Sequence, residues 1–246
     1  MAAALEVTDL TLRFGGVTAL DRLNLSLPPE RVLGLAGPNG SGKSSLINAL
    51  TGHYDIEGRI MLNGRRIDRL SPPERVRLGI TRTFQSPRSY RRMTVLDNLH
   101  AARHAIRPFI LGRAARRREQ EKVRACLAAF GLDHLAGATP DALTPFELRL
   151  LELARVHAID AQLVLLDEPA AGATEDEADR LSEILAERLF PGRTVILIEH
   201  RMSFLHTLCN EFLVLQAGRT LAHGTRDAVF SVRDVRACLI GEPAHA

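Results

Sequence analysis

Near the start of the chain, Leu23, Leu25 and Leu27 alternate with polar residues, the period-two pattern of a strand with one buried face. Ile60–Leu62 and Arg65–Ile67 flank Asn63-Gly64, a pair that tolerates the positive φ values of a tight hairpin. Val32–Ala36 is a short apolar run that enters a glycine-rich loop. Leu46, Ile47 and Leu50 follow, so this stretch predicts strand, loop, helix. From about Val95 to Leu135 the pattern turns helical. Val123, Cys126, Leu127 and Phe130 fall at i, i+3, i+4 and i+7, one buried face, and Gly131 stops that helix. Arg113–Arg118 is placed just before it. In the last third, Leu163–Leu166 and Val195–Ile198 read as buried parallel strands. Ala178, Leu181, Leu185 and Leu189 form a helical stripe between them. Phe212–Leu215 and Arg219–Ala222 are joined by a short Gly-containing turn, and Glu242–Ala246 reads as a frayed tail.

The order is α/β, and 246 residues suit one large domain, or one with a small appended subdomain. A composition of 46% hydrophobic and 25% charged residues excludes disordered, collagen-like and disulfide-stapled chains. Cys126, Cys209 and Cys238 are odd in number and far apart, which predicts reduced thiols, a cytosolic setting and no zinc site. The start, MAAALEVTDL, lacks the pattern of a signal peptide. The strongest apolar runs fall far short of the roughly 20 residues that span a bilayer. The chain is therefore expected to work at a membrane, if at all, without crossing it. A net charge of +3 gives a thin footprint for nucleic acid. The Arg113–Arg118 run reads as a solvated helix face or as a contact for anionic headgroups.

The glycine-rich loop carries the first chemistry. Gly37, Pro38, Asn39, Gly40, Ser41, Gly42, Lys43 and Ser44 match G-x-x-x-x-G-K-[ST], with Ser45 next to them. Glycines let the backbone curl so that its N–H groups form an anion nest, and the helix starting near Lys43 adds its positive end. Lys43 is expected to reach the β- and γ-phosphates of a bound polyphosphate, and the Ser44 hydroxyl to take a Mg²⁺ position. Lys43 is one of only two lysines beside thirty arginines, which makes its place in this pattern more telling. The strand Leu163–Leu166 ends in Asp167-Glu168-Pro169, and carboxylates at that end of a parallel strand face the ligand crevice. Asp167 is expected in the Mg²⁺ shell. Glu168 is expected to polarise a water for in-line attack on the γ-phosphate.

In these motifs and their order, the chain resembles the nucleotide-binding subunit of an ABC transporter over nearly its whole length. The phosphate loop, the LVLLDEP strand and the His200 of VILIEH stand in that family's order. The resemblance implies a P-loop NTPase core with a parallel sheet, an N-terminal antiparallel β subdomain and an inserted helical subdomain. Residues 1–86 and 160–246 would form the core and about 87–159 the helical part. It implies that Phe14 stacks on adenine, that Gln85 senses Mg²⁺ and contacts the membrane subunit, and that His200 contacts the γ-phosphate. The segments FGGVTALD, RTFQSPRSYRRMTVLDN, DEPAAG, LIEHRM and ACLIG are most similar to the branched-chain amino-acid importer type. Importers of urea or short amides are similar enough to remain open. The implied partners are a second ATP-binding subunit, two transmembrane permeases and, indirectly, an external solute-binding protein, with the chain on the cytoplasmic face of the membrane. Arg88, Arg91 and Arg92 follow Gln85, where a contact with the membrane subunit and a plain solvated loop are equally open.

One segment departs from the family. Its signature helix opens with LSGGQ or a variant that keeps a glycine, whereas this chain has Leu143-Thr144-Pro145-Phe146-Glu147. Thr144 can cap, Pro145 suits the first helical position and Glu147 completes a capping box. Pro145 removes an N–H, Phe146 replaces the glycine that lets the backbone approach a phosphate, and Glu147 adds negative charge. Gly172-Ala-Thr-Glu-Asp also replaces the family's Gly-Leu-Asn-Pro type of segment. In that family each ATP lies between one chain's phosphate loop and the other chain's signature, so the departure favours a heterodimer. The competing functions are a soluble ATPase of the same class acting on nucleic acid or ribosomes, and a regulatory subunit with reduced catalysis. His100 and His104 are four apart and read as a solvated helix face.

Overall fold

The computed structural model describes residues 4–84, 89–106 and 112–240. The chain opens with β1 (Leu5–Phe14) and β2 (Val17–Leu27), an antiparallel ribbon, and then enters β3 (Val32–Ala36) and α1 (Lys43–Leu50). β4 (Glu57–Leu62) and β5 (Arg65–Arg66) close around Asn63 and Gly64, both at positive φ as the hairpin requires. α2 (Pro72–Arg77) and β6 (Ile80–Arg82) follow, then α3 (Val95–Ile106), α4 (Arg113–Ala129) and α5 (Pro145–Ile159). The last third alternates: β7 (Leu163–Asp167), α6 (Glu175–Ile184), β8 (Thr194–Ile198), α7 (Met202–Leu208), β9 (Glu211–Gln216) and β10 (Arg219–Thr225). α8 (Arg226–Ser231) and α9 (Arg233–Ile240) end the described chain.

One sheet is antiparallel, in the order β2-β1-β4-β5. The other runs β10-β9-β3-β8-β7-β6, parallel throughout except for the edge strand β10. β3, β7 and β8 are buried at every residue, which is why they read as apolar runs and not as alternations. Their side chains still divide between two faces. Val164, Leu166, Val195, Leu197 and Val214 join the core against the helices of the later chain. Leu163, Leu165, Ile196, Ile198 and Leu213 join the core shared with β1, β2 and α1.

The helical stretch differs from its sequence reading at one point. Arg113–Arg118 is not a lead-in; it is the first third of α4, begun after Gly112 at φ 86. Every residue of the run is exposed, and Arg117 pairs with Glu121 one turn on at 3.1 Å. The solvated helix face read for this run agrees with its exposure; the apolar period begins only where α4 meets its neighbours, so the sequence does not show that the run and the buried stripe are one helix. Arg103 of α3 pairs with Glu119 of α4 and donates to the Ala158 carbonyl of α5 at 2.7 Å, which ties the three helices together. Asn98 exceeds the helix-start role read from sequence. It is fully buried, and its side-chain amide donates to the carbonyls of Tyr90, Met93 and Thr94 and accepts from the Tyr90 N–H. Thr94 and Asp97 make the cap itself.

Arg75 anchors the helix behind the phosphate loop. It is 1% exposed, and its guanidinium donates to the carbonyls of Ala49 and Leu50 at the end of α1 and to those of Asp68 and Leu70. A cation there complements the negative end of α1. The ordering of α2 that presents it comes from Ser71 and Glu74, a reciprocal cap at 2.6–2.8 Å, ahead of Pro72.

Candidate nucleotide site

Three neighbouring strands bring the sequence-predicted residues together. The phosphate loop leaves β3, His200 follows β8, and Asp167 and Glu168 end β7 or just follow it; β3, β8 and β7 are adjacent in the sheet. All of them therefore meet at the carboxyl edge, where α/β sheets hold ligands. A cleft of about 410 Å³ opens there. Asn39, Gly40, Ser41, Gly42, Lys43, Ser44 and Ser45 line it from one side, Glu168 and His200 from another.

The loop's shape demands its glycines at two positions. Gly37 sits at φ 144, where a Cβ would come within 2.3 Å of the Leu215 carbonyl oxygen. Gly42 sits at φ 109, where a Cβ would come within 2.8 Å of the Ala19 carbonyl oxygen. Gly37 and Pro38 form the back of the loop, and their carbonyls accept from Lys43 Nζ at 2.7 and 2.9 Å. Lys43 is 7% exposed; burial pushes its pKa down, and the nearby Glu168 and Asp167 carboxylates oppose that. The Ser41 hydroxyl is buried, with no hydrogen-bond partner among the described residues. Ser44 is exposed to the cleft.

Asp167 lies deeper. It is 8% exposed, its N–H donates to the Thr83 hydroxyl at 3.0 Å, and its carboxylate is 3.6 Å from the Arg82 guanidinium. Burial pushes its pKa up against the pull of Arg82 and Lys43, and Glu168 adds to the push. Glu168 holds φ 49, a left-handed backbone for a non-glycine residue, with its N–H fixed on the Ile198 carbonyl at 2.9 Å. Its Oε1 is 3.1 Å from His200 Nε2. The turn directs the carboxylate back over the sheet edge toward the cleft.

Phe14 lies at the end of β1 and is 44% exposed, so it is not a core residue. It faces Val17 across the hairpin, and Val17 lines the cleft with Thr18 and Ala19. Tyr54 packs edge-on against Phe14, with ring centroids 4.9 Å apart. Gln85 and Arg88 lie outside the described residues. Sequence reading missed Ala217 and Gly218, which line the cleft from the β9–β10 turn, with the Gly218 N–H donating to the Ser41 carbonyl at 3.0 Å. The only signal for them was the short Gly-containing turn.

The altered turn at α5 is well formed. The Thr144 N–H and hydroxyl donate to Glu147 at 2.7 and 2.9 Å, and the Glu147 N–H returns to Thr144 Oγ1 at 3.2 Å. Those bonds hold the Glu147 carboxyl below its ordinary value, so it stays charged. Phe146 does not project freely. It is half-buried against the main core, with the Arg180 guanidinium 5.7 Å from its ring centre.

A phosphate loop between β3 and α1 of a mainly parallel sheet, with an acidic pair ending a neighbouring strand, defines a P-loop ATPase fold. The ABC transporter family model matches residues 20–171, and the chain belongs to that family. It is 34% identical to the high-affinity branched-chain amino acid transport ATP-binding protein LivG of Escherichia coli K12, over 97% of this chain and 98% of that one. It is 36% identical to the corresponding BraF protein of Pseudomonas aeruginosa at the same coverage. Among solved structures, the ADP conformation of an ATP-binding cassette of an ABC transporter superposes with a TM-score of 0.85 at 29% identity, covering 98% of this chain and all of that one. A nucleotide-free cassette gives 0.84 at 28% identity, with the same coverage. Among the described residues, no helix is long and apolar enough to cross a membrane.

Proposed function

We propose that this chain is the ATP-hydrolysing subunit of a membrane solute importer of the branched-chain amino-acid type, bound to permeases at the cytoplasmic face and paired with a second, different ATP-binding subunit. The convergence of Lys43, Glu168 and His200 on one cleft, with the Asp167 carboxylate close enough to act on the charge of Lys43, is the observation that carries the catalytic reading. The import reading draws on the names of the LivG and BraF relatives.

In this reading, Lys43 exchanges the Gly37 and Pro38 carbonyls for the β- and γ-phosphate oxygens of ATP. The Ser41 hydroxyl, otherwise orphaned, gains an acceptor. Phe14 offers its exposed face to adenine; the Mg²⁺-sensing role of Gln85 rests on the family resemblance alone. Mg²⁺ suits the Ser44 hydroxyl and the Asp167 carboxylate, hard oxygen donors, and when bound would neutralise phosphate charge. Glu168 accepts a hydrogen bond from the attacking water, whose oxygen bonds to the γ-phosphorus as the bond to the β-bridging oxygen breaks. His200 is placed to hold the γ-phosphate and orient Glu168. Two ATPs close the dimer because the closed state binds them better, and hydrolysis releases it.

The heterodimer follows from the α5 turn. Pro145 has no N–H, the Glu147 N–H is taken by Thr144, and the Glu147 carboxylate adds a negative charge. A γ-phosphate presented to this turn by a partner meets a poor surface, so the partner's own phosphate-loop site hydrolyses slowly. Replacing Phe146→Gly and Glu147→Gln together is expected to raise turnover at that site about tenfold, measured in a complex whose own Glu168 is Gln so that only the partner's site is read. No rise in a folded, assembled complex removes the asymmetry.

The overall reading is tested by tagging the chain, solubilising native membranes gently and identifying what co-purifies. Two different permeases and a second ATPase are expected. Recovery only from the soluble fraction, with nucleic acid or ribosomes, overturns the transporter reading.

A further inference from the structure

The residues on either side of His200 both reach the segment that follows Glu168. Glu199 is 5% exposed. One of its carboxylate oxygens accepts from the Ala170 N–H at 2.6 Å, and the other accepts from the His200 N–H at 3.1 Å. Arg201 points the other way along the same segment. Its guanidinium donates to the carbonyls of Ala173 at 2.6 Å and Thr174 at 3.4 Å. Residues 169–174 are thus gripped near both ends, at Ala170 by an acceptor and at Ala173 and Thr174 by a donor. Inside the grip the segment is two small turns, closed by the N–H groups of Ala171 on Glu168 and of Ala173 on Ala170.

The chemistry is selective. A buried carboxylate is costly unless its lone pairs are filled, and backbone N–H groups fill these. Burial pushes the Glu199 pKa up, while its backbone donors, Arg201 N–H among them, hold it down. Without Glu199 the N–H groups of Ala170 and His200 lose their carboxylate acceptor. Glu168 needs this support because its backbone is left-handed and its carboxylate faces His200 at 3.1 Å.

We propose that Glu199 and Arg201 are positioning residues for the hydrolytic step: they fasten the 169–174 segment to the His200 loop, so that Glu168 and His200 keep their spacing as one unit. The proposal rests on the reading of Glu168 and His200 as the hydrolytic pair. Neither Glu199 nor Arg201 lines the nucleotide cleft, so neither is expected to change how ATP binds.

The test uses the complex purified from membranes, with ATP turnover and ADP affinity measured on each variant. Arg201→Ala is expected to lower kcat about tenfold, because small displacements of a catalytic pair are costly, and to leave KM for ATP and ADP affinity within about twofold. Arg201→Lys is expected to recover most of kcat, since an ammonium can still donate to the Ala173 carbonyl. Glu199→Gln keeps the shape but turns an amide N–H toward a backbone N–H, and is expected to lower kcat at least as far. An unchanged kcat in Arg201→Ala, or a fall in kcat matched by a loss of ADP affinity, overturns the proposal. Glu168→Gln in the same preparation separates the layers: if that change leaves turnover intact, the hydrolytic reading fails instead.

Discussion

Glu168→Gln is expected to lower ATP turnover of the assembled complex by about two to three orders of magnitude, within the range usual for loss of a general base, and to leave nucleotide binding in place. The amide has the carboxylate's size, so it can keep the contact with His200 Nε2 and fill the same corner of the cleft. What it loses is charge and basicity. A neutral amide polarises water weakly and has no lone pair able to take a proton in the transition state. Binding survives because the phosphate loop and Lys43 are untouched, and one negative charge fewer faces the incoming phosphates. The measurement is turnover alongside affinity for a slowly hydrolysed ATP analogue. Equal turnover in wild type and variant rules out Glu168 as the residue that prepares the water, and supports the regulatory-subunit reading instead.

How much of this was legible in the sequence follows the range of each interaction. The phosphate loop is legible because one contiguous run supplies the glycines, the lysine and the helix start. The same holds for Asp167 and Glu168, which close an apolar strand, and for the α5 turn, whose capping box spans four residues. His200 and Phe14 came only through the family resemblance, since a single His after a strand and a single exposed aromatic carry no local pattern. Glu199, Arg201 and Arg75 carry no periodic signal at all. Glu199 and Arg201 act on backbone atoms 27 to 29 positions away, and Arg75 on the end of α1 25 and 26 positions away. Their partners are backbone carbonyls and N–H groups, common to nearly all residue types, so no pairing of side-chain types marks them. The polar start of α4 is legible only as a solvated helix face, not as part of the same helix as Val123–Phe130, because an exposed turn has no apolar period to join it to the buried stripe.

Arg75→Ala is expected to destabilise the fold by about 3–5 kcal/mol, at the large end for a single substitution because it breaks a buried hydrogen-bond network. Four carbonyls, those of Ala49, Leu50, Asp68 and Leu70, lose their donor at once. Each buried acceptor left unmet costs about 1–3 kcal/mol, and the cavity adds to this. Relief of the charge's own burial cost works the other way; burial pushes the Arg75 pKa down, the mark of that cost. The loss outweighs the relief because the guanidinium is nearly saturated with acceptors. Gly52, at φ 80, shows how closely the site is built, since a Cβ there would lie 2.8 Å from Arg75 Nε. Arg75→Lys should rescue little: an ammonium offers its donors from one point and cannot reach carbonyls spread around a planar fork. Chemical denaturation of the three forms gives the comparison. A loss below about 1 kcal/mol in Arg75→Ala would mean that water replaces the guanidinium at these carbonyls. A full loss would mean that the far end of α1, and with it the helix that presents the phosphate loop, is held by one side chain whose role is written nowhere in the local sequence.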